Sequence, residues 1–209
     1  HEGSCVHGRA TSGYVTADTD RKDASVDVFG HVLDAMCMVV GELTEVSAIV
    51  ATRVPQWFES DTKKYVAVTS PDNVLVSGKL ARGAVASVHV GAVPWAGGGF
   101  RMEIFGREGT LIATGNVSSQ RGEMLRVQGA QRSHELKDLA LPDRFRHVPP
   151  GFPSGDPYNV GQMYALFAEA IRTGKNPARL PTFETAVELH HFIDTIKQAS
   201  DQGQELAVD

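Results

Sequence analysis

The chain has 209 residues, 42% of them hydrophobic, enough to enclose the core of one domain spanning residues 1–209. Its formal net charge is −5, with acids and bases interspersed, which excludes the concentrated basic face that nucleic acid or anionic lipid requires. The longest apolar run, residues 32–40, is broken by Asp34 and falls far short of the roughly 20 residues that span a bilayer. The opening residues His1-Glu2-Gly3-Ser4-Cys5 carry neither the basic segment nor the apolar core of a secretory signal. Cys5 and Cys37 form no Cys-x-x-Cys pair, so two reduced thiols in a cytoplasmic protein are expected.

In chain order, residues 7–16 read as a strand. Residues 27–40 follow as a helix apolar nearly all round, and therefore expected to be buried. Gly41 stands where a left-handed helix end is wanted. From there the apolar period changes from 3.6 to 2. Residues 44–53, 63–69, 73–80, 84–90, 100–105, 110–114 and 123–128 all read as strands bounded by Gly, Pro, Asp or Asn. Val74, Val76 and Leu80 share one face, and Leu75, Ser77 and Lys79 the other, which describes an antiparallel sheet packed on one side. Ala81-Arg82-Gly83 and Gly106-Arg107-Glu108-Gly109 are short enough for hairpin turns.

Residues 142–157 are rich in Pro and Gly and read as a loop. Asn159 with Gln162 suggests a capping box, ahead of Val160, Met163, Tyr164, Phe167 and Ile171 at helical spacing and a closing Gly174. A last helix is predicted from Thr182, with Glu184 in its first turn and an apolar stripe of Leu189, Phe192, Ile193 and Ile196. The expected fold is α+β: a large, mainly antiparallel sheet with helices on one face and the other face open. No strand–Gly-x-Gly-x-x-Gly–helix unit occurs. Gly97-Gly98-Gly99 joins two strands and so presents no helix N-terminus to a pyrophosphate.

Among residues able to carry chemistry, Asp27 and His31 lie four apart at the start of the first helix and project from one face. A carboxylate beside an imidazole can fix its tautomer and make it a general acid–base. A capping Asp and a buried structural His satisfy the same spacing. His190 and His191 point about 100° apart on a helix, and with Glu188 and Asp194 they supply too few convergent ligands for zinc, so no metal is expected. His89 shares a strand face with Val85 and Ser87 and can look into a polar pocket. Trp95, in the loop around residues 94–98, suits the apolar face of a sugar ring, or anchors its own loop. Arg101, Arg144, Arg146, His147 and Tyr158 are further pocket candidates that no spacing argument separates. Covalent hydrolase chemistry has no support, since Gly-x-Ser-x-Gly is absent.

Several stretches, in order, resemble one known family. Gly30-His31-Val32-Leu33-Asp34-Ala35-Met36 and the following Val40-Gly41-Glu42-Leu43-Thr44-Glu45-Val46 look like the start of its C-terminal domain. Asp72-Asn73-Val74-Leu75-Val76-Ser77-Gly78-Lys79-Leu80, Glu103-Ile104-Phe105-Gly106-Arg107-Glu108-Gly109-Thr110-Leu111 and Thr182-Phe183-Glu184-Thr185-Ala186-Val187-Glu188-Leu189-His190 are similar to its central hairpin, sheet turn and last helix. The family is that of glucose–fructose oxidoreductase, inositol dehydrogenase and rhizopine-catabolism proteins (Gfo/Idh/MocA), in the branch that includes galactose-repressor-like proteins.

The resemblance implies oxidation of a sugar or cyclitol CH–OH group with NAD or NADP. It places the family's catalytic Asp and His on Asp27 and His31, with Trp95, His89, Tyr158 and Arg101 as candidate substrate contacts. Phe29 stands where the family has glycine, with Gly30 beside it, and the family's Glu-Lys-Pro motif does not occur. The resemblance covers only the C-terminal, substrate-binding half of a two-domain protein. The cofactor-binding residues are therefore expected in a dinucleotide-binding half outside this chain, which alone should not transfer hydride. The same fold also implies an alternative, a non-catalytic sugar sensor or transcriptional regulator, or a stand-alone dimerisation domain. A homodimer or homotetramer is expected through the open sheet face, where Leu75, Val85 and Phe105 would form an apolar patch.

Overall fold

Alternating apolar residues at period two build the main structural element, a nine-stranded sheet. The computed structural model describes residues 5–11, 24–59, 62–91, 99–115, 125–132, 135–176 and 180–208, and for 5–11, 24–28, 57, 59 and 156 it describes the backbone only. The strands of the sheet are β1 (Cys5–Thr11), β2 (Leu43–Ala51), β5 (Asn73–Leu80), β6 (Val85–Gly91), β7 (Phe100–Gly106), β8 (Gly109–Gly115), β9 (Arg126–Gln131), β10 (Lys137–Asp138) and β11 (Leu206–Ala207). Their order is β10-β9-β8-β7-β1-β6-β5-β2-β11. Every pairing is antiparallel except that of β1 with β6, so the first strand lies inside the sheet between β6 and β7. The expected mainly antiparallel α+β sheet is what the chain forms.

Strand parity sets the packing. Val74, Val76 and Leu80 of β5, Ala86, Val88 and Val90 of β6, and Phe100 and Met102 of β7 are buried on one face. Two helices cover that face: α1 (Ala24–Val40) and α3 (Phe183–Gln202). α1 contributes Phe29, Leu33 and Met36, and α3 contributes Phe192, Ile193, Ile196 and Ala199. Each large apolar side chain buried in this way stabilises the fold by about 1.5–3 kcal/mol. Thr182 caps α3, accepting from the Thr185 amide, and Ser200 Oγ accepts from the Val50 amide at 2.8 Å, tying α3 to β2. Gly41 closes α1 with φ +96° and turns the chain straight into β2.

The structure corrects several sequence expectations. α1 is not buried all round, because it packs on one side only: His31, Asp34, Met38 and Val39 are exposed although two of them are apolar. Residues 63–69 do not join the main sheet. β4 (Lys64–Ala67) instead pairs with β3 (Gln56–Glu59) in a separate ribbon, where Phe58 and Tyr65 meet edge to face at 5.4 Å. β9 begins three residues later than expected and runs through Gly129, where a Cβ would press on Leu139 and Leu111.

The capping box at Asn159 and Gln162 does not form, because α2 (Asp156–Thr173) starts earlier, at Gly155, with Pro157 in its first turn. Gln162 instead holds the preceding loop. Its Oε1 accepts from the amides of His147 and Val148, and its Nε2 donates to the Phe145 carbonyl. The predicted stripe of α2 is helical in spacing but exposed: Val160, Met163, Tyr164, Phe167 and Ile171 lie outside the core. Among the described residues no helix is long and apolar enough to cross a membrane.

Candidate functional site

Cys37 of α1 and Thr185 of α3 line one cavity with the start of β2, while Gly30 faces Ile193 and Ser200 bonds Val50 near the end of β2, so α1 runs antiparallel to β2. The 17-residue helix and the nine-residue strand are similar in length, at about 1.5 and 3.3 Å per residue. The first half of α1 therefore lies toward the sheet end where β2 finishes at Ala51, β5 begins at Asn73, β6 finishes at Gly91 and β7 begins at Phe100. Gly30, which faces Ile193 of α3 at 3.4 Å from an added Cβ, lets the two helices approach there. Phe29, in the place of the family's glycine, is 2% exposed and belongs to the core.

His31 sits in the second turn of α1 on the side away from Phe29 and Leu33, and it is exposed. The reading of His31 as a buried structural histidine is therefore set aside. Asp27 lies one turn earlier on the same helix, and its side chain falls outside the described residues. An exposed imidazole on a rigid helix can reach a substrate hydroxyl and exchange its proton with solvent.

The other candidates are not gathered around His31. His89 and Arg101 occupy the open face of the sheet, opposite the helices. Both are register partners of Arg9, on the strand between them. His89 Nε2 lies 3.4 Å from Asn73 Oδ1, and Arg101 is ion-paired with Glu103 at 2.6 Å. The sheet thus lies between these two residues and α1. Tyr158 is in the first turn of α2, which makes no extended contact with α1 or the sheet. Trp95 lies outside the described residues.

The loop candidates serve their own loop. The Arg144 guanidinium stacks 4.7 Å from the Phe145 ring centroid, Arg146 pairs with Asp143 at 3.4 Å, and the His147 amide is held by Gln162. His190 and His191 are exposed on α3, and among the described residues no group of three or more His, Cys, Asp or Glu is placed to hold a metal.

Sequence reasoning missed one residue that organises this sheet end. Asp72 is 5% exposed, and its carboxylate accepts from the amides of Arg53 and Val54 at 2.7–2.9 Å and from Asn73 Nδ2 at 2.8 Å. Charge-assisted bonds of this kind are about twice as strong as neutral ones. They pin the end of β2 to the start of β5 and orient Asn73 toward His89. Pro71-Asp72-Asn73 marks a turn in the sequence, but nothing local points to amides 18 and 19 residues earlier.

Comparison with known proteins gives the same architecture. No curated protein matches the chain. Among solved structures, a super-repressor mutant of Gal80p from Saccharomyces cerevisiae superposes with a TM-score of 0.77 at 16% identity, over 97% of this chain and 57% of that one. Levoglucosan dehydrogenase in complex with NADH and L-sorbose superposes with a TM-score of 0.76 at 18% identity, over 98% and 58%. An oxidoreductase domain protein from Kribbella flavida gives 0.75 at 16% identity, over 98% and 59%. The chain thus spans less than three fifths of each of these structures, and at such identities the likeness is one of fold. The model for "Gal80p, C-terminal domain" matches residues 11–115, half of the sequence. This chain belongs to the Gal80p C-terminal-domain-like family, and its fold is that of the C-terminal domain of Gfo/Idh/MocA oxidoreductases.

Proposed function

We propose that this chain is the substrate-binding domain of a cytoplasmic NAD- or NADP-dependent oxidoreductase acting on a CH–OH group of a sugar or cyclitol. The observation that carries the reading is His31, exposed on α1 four residues after Asp27. Removing hydride from an alcohol carbon requires removing the hydroxyl proton as well, so a base must stand within hydrogen-bond reach of that oxygen. His31 takes that proton, and the family resemblance gives Asp27, one turn earlier in the helix, the role of orienting the ring. When bound, a nicotinamide supplies the hydride acceptor. The sequence carries no Gly-x-Gly-x-x-Gly to cradle the cofactor's phosphates, so this domain would meet only the reacting end of such a cofactor. We assign its phosphates to a second domain, preceding this one in the complete protein.

Calorimetric titration tests the assignment. The complete protein is expected to bind NADH or NADPH in the micromolar range, and the isolated chain to bind neither. Tight, stoichiometric binding by the isolated chain would contradict it.

A second reading is favoured by the family match to Gal80p, whose super-repressor form shares the fold. In it the domain senses a sugar without turning it over, and a surface of the domain engages a regulatory partner.

Both readings include self-association through the open sheet face. Ile49, Leu75 and Val85 are 58%, 41% and 49% exposed there, an apolar patch that two-fold pairing removes from water. His89 and Arg101 then belong to the subunit interface. Sedimentation at micromolar concentration is expected to report a dimer or tetramer, and Leu75→Lys with Val85→Lys a monomer. A monomeric complete protein would rule the interface out.

A further inference from the structure

At the end of α1 opposite His31 lies a cavity of about 380 Å³, between α1, α3 and the first residues of β2. Its size falls in the range of small-ligand sites, and so does its make-up, an apolar floor with a few convergent polar groups. Leu43, Leu189 and Phe192 form the floor. The hydroxyl-bearing Thr44 and Thr185 stand on its walls. Asp34, Glu42 and Glu188 line it as well, one each from α1, the α1–β2 turn and α3, and among the described residues no Lys or Arg lines it. Among the described residues none of these three carboxylates has an ion-pair partner.

The inner wall reports the resulting field. Cys37 lines the same cavity, and its thiol is pushed up to about 11 by burial and by the negative charges of Glu42 and Asp34. A reactive thiolate is therefore disfavoured there, and at the solvent-exposed rim the carboxylates favour a positive charge over a negative one.

We infer that this cavity binds a small organic cation, a primary ammonium carried on a short apolar stem. The stem lies on Leu43, Leu189 and Phe192, and the ammonium meets the three unpaired carboxylates at the mouth. The Thr44 and Thr185 hydroxyls can accept from it. Neither the proposed hydride transfer nor the open-face interface uses any of these residues.

Amide-resolved NMR of the 209-residue chain tests this, with n-hexylammonium as the probe and n-hexanoate and n-hexanol as controls of the same stem. Hexylammonium is expected to shift the Thr44, Thr185 and Leu189 amides saturably, and the controls to leave them unmoved. Raising the salt to about 0.5 M is expected to weaken the binding severalfold, because exposed charges are screened over a few ångströms there. The combined Asp34→Asn, Glu42→Gln and Glu188→Gln variant is expected to bind about tenfold more weakly, three modest surface attractions being lost together. No saturable shift with hexylammonium, equal binding of hexanoate or hexanol, or affinity indifferent to salt would each overturn the assignment. The salt series uses the unaltered protein and so decides the matter even if the triple variant fails to fold.

Discussion

In the complete protein, His31→Ala is expected to lower kcat by roughly 10²-fold or more, the usual scale for losing positioned acid–base help. Asp27→Asn is expected to act in the same direction, by freeing the imidazole to adopt the wrong tautomer or orientation. Because His31 is exposed, its removal is expected to change unfolding free energy by no more than about 0.5 kcal/mol. Unchanged turnover in both variants would leave Asp27 a first-turn residue of α1 and His31 a solvated helix residue.

The largest expected effect on folding belongs to Gly78. It lies in β5 opposite the irregular start of β2, where the register shifts between Leu43 and Glu45. A Cβ at residue 78 would stand 2.0 Å from the Glu45 carbonyl oxygen and 2.9 Å from Leu43 Cδ2. The first clash is with backbone, so no side-chain rotation relieves it, and either the bulge or the β2–β5 pairing must move. Gly78→Ala is expected to cost about 3 kcal/mol or more, at or above the top of the range for an overfilled core. Urea unfolding measures it directly. Ser77→Ala, on the exposed face of the same strand, is expected to stay within about 0.5 kcal/mol of the parent. A Gly78→Ala chain as stable as the parent would mean that β2 and β5 are not paired in this register.

These residues also mark how far the sequence can be read. β5 runs from Asn73 to Leu80 as expected, because its alternation is regular and glycine-bounded turns or loops flank most such strands. α3 was legible for the same kind of reason, with Thr182 as its cap and an unbroken apolar stripe. The place of β1 was not legible. Pairing Cys5–Thr11 between β6 and β7 is a long-range choice that no local pattern encodes. α1 misled because Met38 and Val39 make its exposed side apolar, so composition concealed which face is buried. α2 began early because Pro157, counted with the loop, is a good first-turn residue.

The candidate site was legible only in part. Strand parity already set His89 opposite Val88 and Val90, which the helices cover, so its separation from His31 followed from the sequence. Grouping His89 and Arg101 with His31 as substrate contacts ignored that parity. Asp72 was overlooked because its role is to satisfy two backbone amides across a junction of 18 and 19 residues. Such partners become visible only when the chain is folded.

The account turns on whether this domain serves an enzyme. The most direct measurement is nicotinamide absorbance in the complete protein incubated with NAD or NADP and a panel of sugars, anhydrosugars and cyclitols. The account predicts steady reduction of the cofactor with at least one of them, lost in His31→Ala while binding of that compound persists. Saturable sugar binding with no cofactor reduction across the panel would contradict it and leave the domain a sensor.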